Sequence, residues 1–92
     1  MENSISARAA LLQSLVNEPG YGSDLVERIK AVTAGVLVFG VGSVYPAIRE
    51  LETEGLIAKS ESKGRASLYK ITPAGKKAAD KNRKAIAALF GF

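Results

Sequence analysis

The stretch from Gly42 to Leu56 (GSVYPAIRELETEGL) constrains the fold of this 92-residue chain more than any other part of it. Val44, Ile48 and Leu51 recur at i, i+4 and i+7, so their side chains fall on one stripe of a helix. The pattern therefore predicts a short amphipathic helix over residues 43–54, with its apolar stripe turned towards a core.

The same stretch also carries its own start and stop signals. Ser43 is the expected N-cap, and Pro46 is expected in the first turn, where a missing N–H removes no intrahelical hydrogen bond. Gly55 is expected to end the helix in the left-handed conformation. Tyr45 and Arg49, four residues apart, are neighbours on the face opposite the apolar stripe. We expect this face to press against another surface.

The composition is that of a small basic globular domain without redox or metal chemistry. The net charge is +4 with no cysteine and no histidine, which excludes disulfides, thiol catalysis and the commonest metal ligand. A basic balance favours a polyanionic partner, although it can also serve solubility alone. No apolar run approaches the roughly 20 residues that span a bilayer. We expect a cytoplasmic protein with no cofactor, no metal and no membrane contact.

Ahead of the central stretch, two helices are predicted. The first covers Ser4–Asn17, with Ser4 or Ser6 as its cap, and ends before the breaker pair Pro19-Gly20. The second follows Tyr21-Gly22, has Ser23 or Asp24 as its capping signal, and ends near residues 33–35.

Three short strands and a last helix complete the prediction. The strands are expected at 36–39, 56–62 and 67–71, the last two joined by a turn at 62–66, and the helix over about 73–90. The order α-α-β-α-β-β-α describes a mainly α chain with a small β-hairpin. That order is the winged helix-turn-helix arrangement, in a single domain over residues 1–92 with the hairpin as the wing.

No enzymatic centre is predicted. Gly35 and Gly40 have the spacing of a phosphate loop, but Val41-Gly42-Ser43 stands where the lysine of that motif is required. The glutamates near the centre, Glu50, Glu52 and Glu54, fit a solvated helix face. No serine has a histidine partner, because the chain contains none.

The central helix is instead the candidate for reading DNA, because the major groove admits an α-helix and displays the full base code. The candidate contacts are Ser43, Tyr45, Pro46 and Arg49. For Tyr45 the alternative is half-buried packing against the wing. For Arg49 the alternative is a surface pair with Glu52 or Thr53.

Two further groups of residues are candidate DNA contacts. Lys63 and Arg65 at the hairpin tip are placed for a minor groove or a phosphate backbone, or else they serve only as solubilising charge. Tyr21 and Gly22 can offer a hydroxyl and backbone N–H groups to a phosphate, or they form a simple connecting turn.

The last helix is the candidate dimer element. Its end is apolar, and two domains related by a two-fold axis read two half-sites. The candidate dimer contacts are Ile5, Leu12, Ile86, Leu89 and Phe90. The alternative is that the last helix packs only against the first helix of its own chain.

With these elements in place, the chain resembles the PadR family of winged-helix transcription regulators, in its short form with one terminal helix. The resemblance rests on the following segments: Ala10 to Leu15, Pro19 to Leu25, Gly42 to Leu56, and Arg65 to Gly75. The Gly42–Leu56 segment is the most specific of them.

The resemblance implies a homodimeric repressor that binds double-stranded DNA, with dimer contacts in the first and last helices. It also implies that the protein releases DNA when it binds a small, often aromatic effector. Two features depart from the family pattern: the apolar loop 36–41, and the absence of tryptophan, which rules out a pocket built on that side chain. The alternative function is a winged-helix module that binds protein partners without specific DNA binding.

Overall fold

Four helices and three short strands build the described part of the chain, residues 6–63 and 66–90, in a computed structural model. In chain order they are α1 (Ala7–Ser14), β1 (Gly20–Tyr21), α2 (Gly22–Val32), α3 (Val41–Thr53), β2 (Ile57–Lys63), β3 (Ala66–Ile71) and α4 (Pro73–Phe90). The predicted mainly α architecture with a β-hairpin wing is confirmed.

The core is formed where α1, α2 and α3 meet the hairpin. The fully buried side chains are Leu11, Leu12, Leu15, Leu25, Ile29, Val44, Ile48, Leu51 and Ile57. Each such side chain contributes about 1.5–3 kcal/mol relative to exposure. The predicted stripe of α3 lies in this core, so the face of α3 opposite to it is the one left for a partner.

α1 is shorter than predicted. Its N-cap is Ser6, whose hydroxyl accepts a hydrogen bond from the backbone N–H of Ala9 at 3.2 Å. The helix ends at Ser14, whose own hydroxyl donates to the carbonyl of Leu11 at 2.8 Å and so competes with the backbone ladder. The predicted start at Ser4 lies outside the described residues.

The first strand lies in a different place from the one predicted. Residues 36–40 form no strand, and Gly20–Tyr21, expected to be a turn, is β1 instead. A strand needs a partner: β1 pairs antiparallel with β3, Gly20 opposite Tyr69 and Tyr21 opposite Leu68. The sheet order is β1-β3-β2, and the element order becomes α-β-α-α-β-β-α.

The loop 33–40 is held by Thr33 instead of by strand pairing. Its hydroxyl accepts from the backbone N–H of Leu37 at 3.1 Å and donates to the carbonyl of Ile29 at 2.8 Å. Leu37 and Phe39 are half-buried against the core, whereas Val36 and Val38 are exposed. Sequence alternation alone could not separate this anchored loop from a strand.

The predicted end of α3 is confirmed in detail. Gly55 has φ +76°, its N–H bonds the carbonyl of Glu52 at 3.0 Å, and the N–H of Leu56 bonds the carbonyl of Leu51 at 2.9 Å. These two bonds are a Schellman motif, which satisfies carbonyls left open at the helix end.

The end of α3 is tied to the start of α4. The hydroxyl of Thr72 accepts from the N–H of Gly75 at 3.0 Å, as an N-cap does, and donates to the carbonyl of Gly55 at 2.7 Å. α4 therefore begins against the turn that follows α3, and its position is coupled to that of α3.

Candidate nucleic-acid interface

α3 presents a buried back and an open front. Val44 and Ile48 are buried, while Arg49 is exposed and Tyr45 is 39% exposed. The predicted division of the helix into two faces is confirmed. The front face is thus available to a surface outside the chain.

The N-terminus of α3 differs from the prediction. The helix begins at Val41 with Gly40 as its N-cap, because the N–H groups of Ser43 and Val44 both bond the carbonyl of Gly40 at 3.0 Å. Ser43 is therefore inside the first turn and is not the N-cap. Among the residues that the structure describes, no side chain caps this end, so first-turn N–H groups stay open to an outside acceptor.

Pro46 lies deeper in α3 than predicted, beyond the first turn. A proline here removes the hydrogen bond that its N–H would have given to the carbonyl of Gly42. Since both Gly42 and Pro46 are exposed, solvent can satisfy that carbonyl. The ring stands on the surface, beside Tyr45.

A cleft of about 310 Å³ joins three elements beside this front face. It is lined by Gly22 and Ser23 of α2, Tyr45 of α3, and Ala66, Ser67 and Tyr69 of β3. The structure therefore brings three predicted parts together: the reading helix, the start of the second helix and the wing.

Gly22 contributes space to this cleft. It is buried, and a Cβ atom there would lie 3.2 Å from Cε1 of Tyr45 and 3.5 Å from Cδ1 of Ile48. The ring of Tyr45 packs where a side chain on Gly22 would stand. Tyr45 therefore packs against the start of α2 while 39% of it stays exposed, and its packing against the wing, the alternative given above, stays a prediction.

The start of α2 was predicted with the wrong cap. Tyr21 is the N-cap, it makes no side-chain capping bond, and Ser23 and Asp24 lie inside the first turn. Tyr21 is half-buried in β1 opposite Leu68. Like α3, α2 therefore leaves first-turn N–H groups uncapped next to the cleft.

The carboxylates of α3 are not simply solvated. Arg8 of α1 donates through Nη1 to Glu50 at 3.0 Å and to Glu54 at 2.7 Å, and through Nη2 to Glu54 at 2.6 Å. The bond to Glu54 is the main cause that raises the pKa of Arg8, and the same bond lowers the pKa of Glu54. Nothing in the local spacing indicated this contact, since the residues are more than forty positions apart in sequence.

Arg49 forms no ion pair with any other residue that the structure describes. The surface pair with Glu52 or Thr53, kept open as the alternative, is not present there. Arg49 is exposed, so its guanidinium is accessible to a partner outside the chain.

The wing tip is only partly within the described residues. β2 ends at Lys63 and β3 begins at Ala66, with Lys63 opposite Ala66 in the ladder. The side chain of Lys63 and the whole of Arg65 lie outside the described part. The predicted hairpin is present, and the roles of these two cations stay predictions.

The candidate dimer residues fall into different situations. Leu12 is 2% exposed in the core of its own domain, so it has no surface to offer a second copy. Ile5 lies outside the described residues. The backbone of α4 continues to Phe90, and the side chains of Ile86, Leu89 and Phe90 lie outside the description.

The basic first half of α4 is partly neutralised along the helix. Arg83 and Lys84 bond Asp80 at 2.6 and 3.1 Å, and the hydrogen bond from Arg83 is the main cause that lowers the pKa of Asp80. Lys76, Lys77 and Lys81 are exposed. These cations form a solvated face within the described chain.

A second cavity, of about 580 Å³, lies between α1 and α2. Ala10, Ile29, Val32 and Leu37 supply its apolar wall, and Arg28 lies at its edge. The guanidinium of Arg28 already donates to three backbone carbonyls, that of Ser14 at the end of α1 and those of Glu18 and Pro19 in the loop, at 3.1, 3.2 and 2.9 Å. Sequence reasoning missed this anchor.

Over residues 6–63 and 66–90 there is no cluster of three carboxylate, histidine or cysteine side chains that could hold a metal ion. Within the same residues, no helix is both long and apolar enough to cross a bilayer.

Comparison with known proteins places these features in a family. The family described as "Transcriptional regulator PadR-like family" matches residues 11–81. A 37.1-kDa uncharacterised protein in transposon Tn4556 of Streptomyces fradiae is 32% identical over 85 residues, which are 92% of this chain and 24% of that protein. The chain thus spans about a quarter of the length of this relative.

Solved structures share the fold. A transcriptional regulator from Clostridium thermocellum superposes with a TM-score of 0.82 at 23% identity, over 92% of this chain and 84% of its own. RosR of H. salinarum superposes with a TM-score of 0.76 at 22% identity, over 97% of this chain and 79% of its own. Bacillus subtilis PadR, in complex with operator DNA, superposes with a TM-score of 0.71 at 22% identity, over 80% of this chain and 44% of its own.

Proposed function

This chain belongs to the PadR-like family of transcriptional regulators, which are not enzymes, and from that premise we propose that it is a DNA-binding repressor that acts as a homodimer. The observation that carries the proposal is the cleft shared by Tyr45 of α3, the uncapped start of α2 and strand β3 of the wing. A helix front, open N–H groups and a hairpin on one side of a basic domain match the shape and charge of a DNA duplex.

In this proposal α3 enters the major groove with its N-terminal half. Arg49 forks onto a guanine or a phosphate, and Tyr45 donates its hydroxyl to a phosphate. Ser43 and Pro46, both exposed, lie on the same approach. The outward guanidinium of Arg49, with no described carboxylate on it, supports this role.

Phosphates are proposed to bind at the starts of two helices. The uncapped first turns of α2 and α3 carry N–H donors and the positive end of the helix dipole. Tyr21, as the N-cap of α2, adds a hydroxyl. Gly22 acts differently: its missing side chain leaves room for the ring of Tyr45.

The wing, residues 62–66, is proposed to reach the minor groove or the adjacent backbone through Lys63 and Arg65. Strand β3 of the hairpin borders the cleft beside Tyr45, which supports this direction. Narrow minor grooves attract arginine by their negative potential.

Dimerisation is proposed through the end of α4, residues Ile86, Leu89 and Phe90, together with Ile5, which precedes α1 in the sequence. Leu12 is not retained as a contact, because it is buried in its own domain. A Leu89→Asp variant should sediment as a monomer while Lys77→Asp, a charge change on the basic half of α4, should not. Two monomeric or two dimeric variants would contradict the assignment.

A small aromatic effector remains part of the proposal. The cavity between α1 and α2, at about 580 Å³, lies within the usual volume of ligand pockets and is walled by apolar side chains. Titration with phenolic compounds should raise the melting temperature if one of them binds, and should lower DNA affinity if it acts as an inducer.

Selection of bound duplexes from a random pool at two salt concentrations tests the proposed function. We expect a palindromic consensus and a steep fall of affinity with salt, since each phosphate contact releases counterions. The exposed Val32, Val36 and Val38 favour the alternative, a protein-binding module. That alternative predicts no consensus and a shallow salt dependence.

A further inference from the structure

The reading helix begins with an exposed apolar side chain. Val41, the first residue of α3, is 65% exposed. Along the exposed start of the helix, only Ser43 and Tyr45 carry a side-chain group that forms hydrogen bonds. This end of α3 is therefore poor in the groups that usually read base edges, and rich in apolar surface.

Gly42, next to Val41, has no reason within the protein to be glycine. Its φ is not positive, and a Cβ atom built on it meets nothing within 4 Å. Glycine at a helical position costs stability relative to alanine. The absent side chain therefore leaves room for something that is not part of the chain.

The other described glycines have internal reasons. Gly35 and Gly55 adopt positive φ, and Gly40 is the N-cap of α3, a position that suits glycine. At Gly20, Gly22 and Gly75, a side chain would contact neighbouring atoms of the protein. Gly42 stands apart from all of them.

We propose that Val41 contacts the C5-methyl group of a thymine in the major groove, and that Gly42 lets the start of α3 come close enough for this contact. The inference rests on the proposed function and adds a specificity-determining residue to it. Thymine is the base whose major-groove edge carries a methyl group, and an apolar side chain recognises it by excluding water. Val41 thus supplies sequence information that the few polar groups of this helix end do not.

Replacing single thymines by deoxyuridine in a selected duplex tests the proposal, because only the methyl group is lost. At one thymine in each half-site we expect the wild type to bind about fourfold more weakly. Val41→Ala changes both protomers of the proposed homodimer, so it should bind the thymine duplex about sixteenfold more weakly than the wild type does, as the wild type binds a duplex with this thymine replaced in both half-sites. The variant should no longer distinguish the thymine and uracil duplexes. Val16→Ala, an exposed valine that follows α1, is the matched control and should keep the wild-type difference.

Equal binding of the thymine and uracil duplexes by the wild type, at every position, overturns the inference and leaves the proposed function intact. So does a Val41→Ala variant that still distinguishes them as the wild type does. If the wild type retains no duplex from the random pool, the proposed function fails and this inference fails with it.

Gly42→Ala tests the close approach independently. The variant should melt at the same or a higher temperature than the wild type, because alanine is the better helix former and meets no atom of the protein. It should nevertheless bind the selected duplex several-fold more weakly. Unchanged DNA affinity in this folded variant would show that the backbone does not approach the DNA there.

Discussion

Arg8 and Glu54 form a two-point ion pair, in which Nη1 and Nη2 of the arginine lie 2.7 and 2.6 Å from the two carboxylate oxygens. Arg8 stands at the start of α1 and Glu54 at the end of α3. The pair therefore connects the reading helix to α1, and Glu50 joins it at 3.0 Å.

The Arg8–Glu54 pair predicts a pH-dependent contribution to stability. The hydrogen bond from Arg8 lowers the pKa of Glu54 in the folded chain below its unfolded value. The contribution is therefore present above the unfolded pKa and is lost as the pH falls through the lowered folded pKa. Glu54→Gln should lower the denaturant midpoint slightly at neutral pH and leave it unchanged in strong acid. Glu52→Gln, whose carboxylate pairs with no described cation, is the control, and parallel pH profiles for the two variants would contradict the prediction.

Arg28 predicts a larger effect, because it holds the connection between α1 and β1. Its guanidinium donates to the carbonyls of Ser14, Glu18 and Pro19. Arg28→Ala should lower the free energy of unfolding by about 1–3 kcal/mol, since these carbonyls lose a charged donor. Chemical denaturation measures this change. Lys30→Ala, an exposed cation on the same helix, should stay within about 0.5 kcal/mol of the wild type; equal losses in both variants would refute the role of Arg28.

The close packing around Gly75 predicts that a larger side chain there lowers the free energy of unfolding. A Cβ atom there would collide with the carbonyl oxygen of Leu56 and would lie 2.6 Å from Cγ1 of Ile71. Because the first obstacle is backbone, α4 must shift, and Gly75→Ala should cost about 1–3 kcal/mol of unfolding free energy. Thermal unfolding checks this against Gly42→Ala, where the same change meets no atom. Equal melting temperatures for the two variants would count against the close packing of α4.

Arg49 is the one cation of α3, and its removal is expected to weaken DNA binding. If its guanidinium reads a guanine, Arg49→Ala should cost about 1–3 kcal/mol on the selected duplex and relax one position of the consensus. If it contacts a phosphate, affinity should fall alike for all duplexes and the salt slope should drop by about one. Binding isotherms at several salt concentrations separate the two, with Lys30→Ala as the control. If Arg49→Ala keeps the wild-type DNA affinity and the wild-type salt slope, Arg49 lies outside the interface.

Local patterns predicted the parts of this fold whose stabilising contacts are local. The stripe of Val44, Ile48 and Leu51 predicted the orientation of α3, and Gly55 predicted its end, because periodicity and left-handed φ are properties of a few consecutive residues. The cap of α4 is also local, since the hydroxyl of Thr72 accepts from the N–H of Gly75 three residues later.

Predictions that required a distant partner were less successful. The run 36–39 has strand-like residues, but no strand of the described chain pairs with it. Gly20–Tyr21 has the residues of a turn, but β3 lies beside it and makes it a strand. Pairing decides a strand, and pairing is not visible in a short window of sequence.

For this protein, the sequence by itself determined the helices, the hairpin and the two faces of α3, since these follow from residue spacing along one element. Only the tertiary structure decided which residues those elements bring together. It seated the ring of Tyr45 over Gly22, carried Arg8 to Glu54, and buried Leu12 instead of offering it to a partner. Each of these contacts joins residues far apart in the chain, so it depends on how whole elements pack and not on the pattern within any one of them.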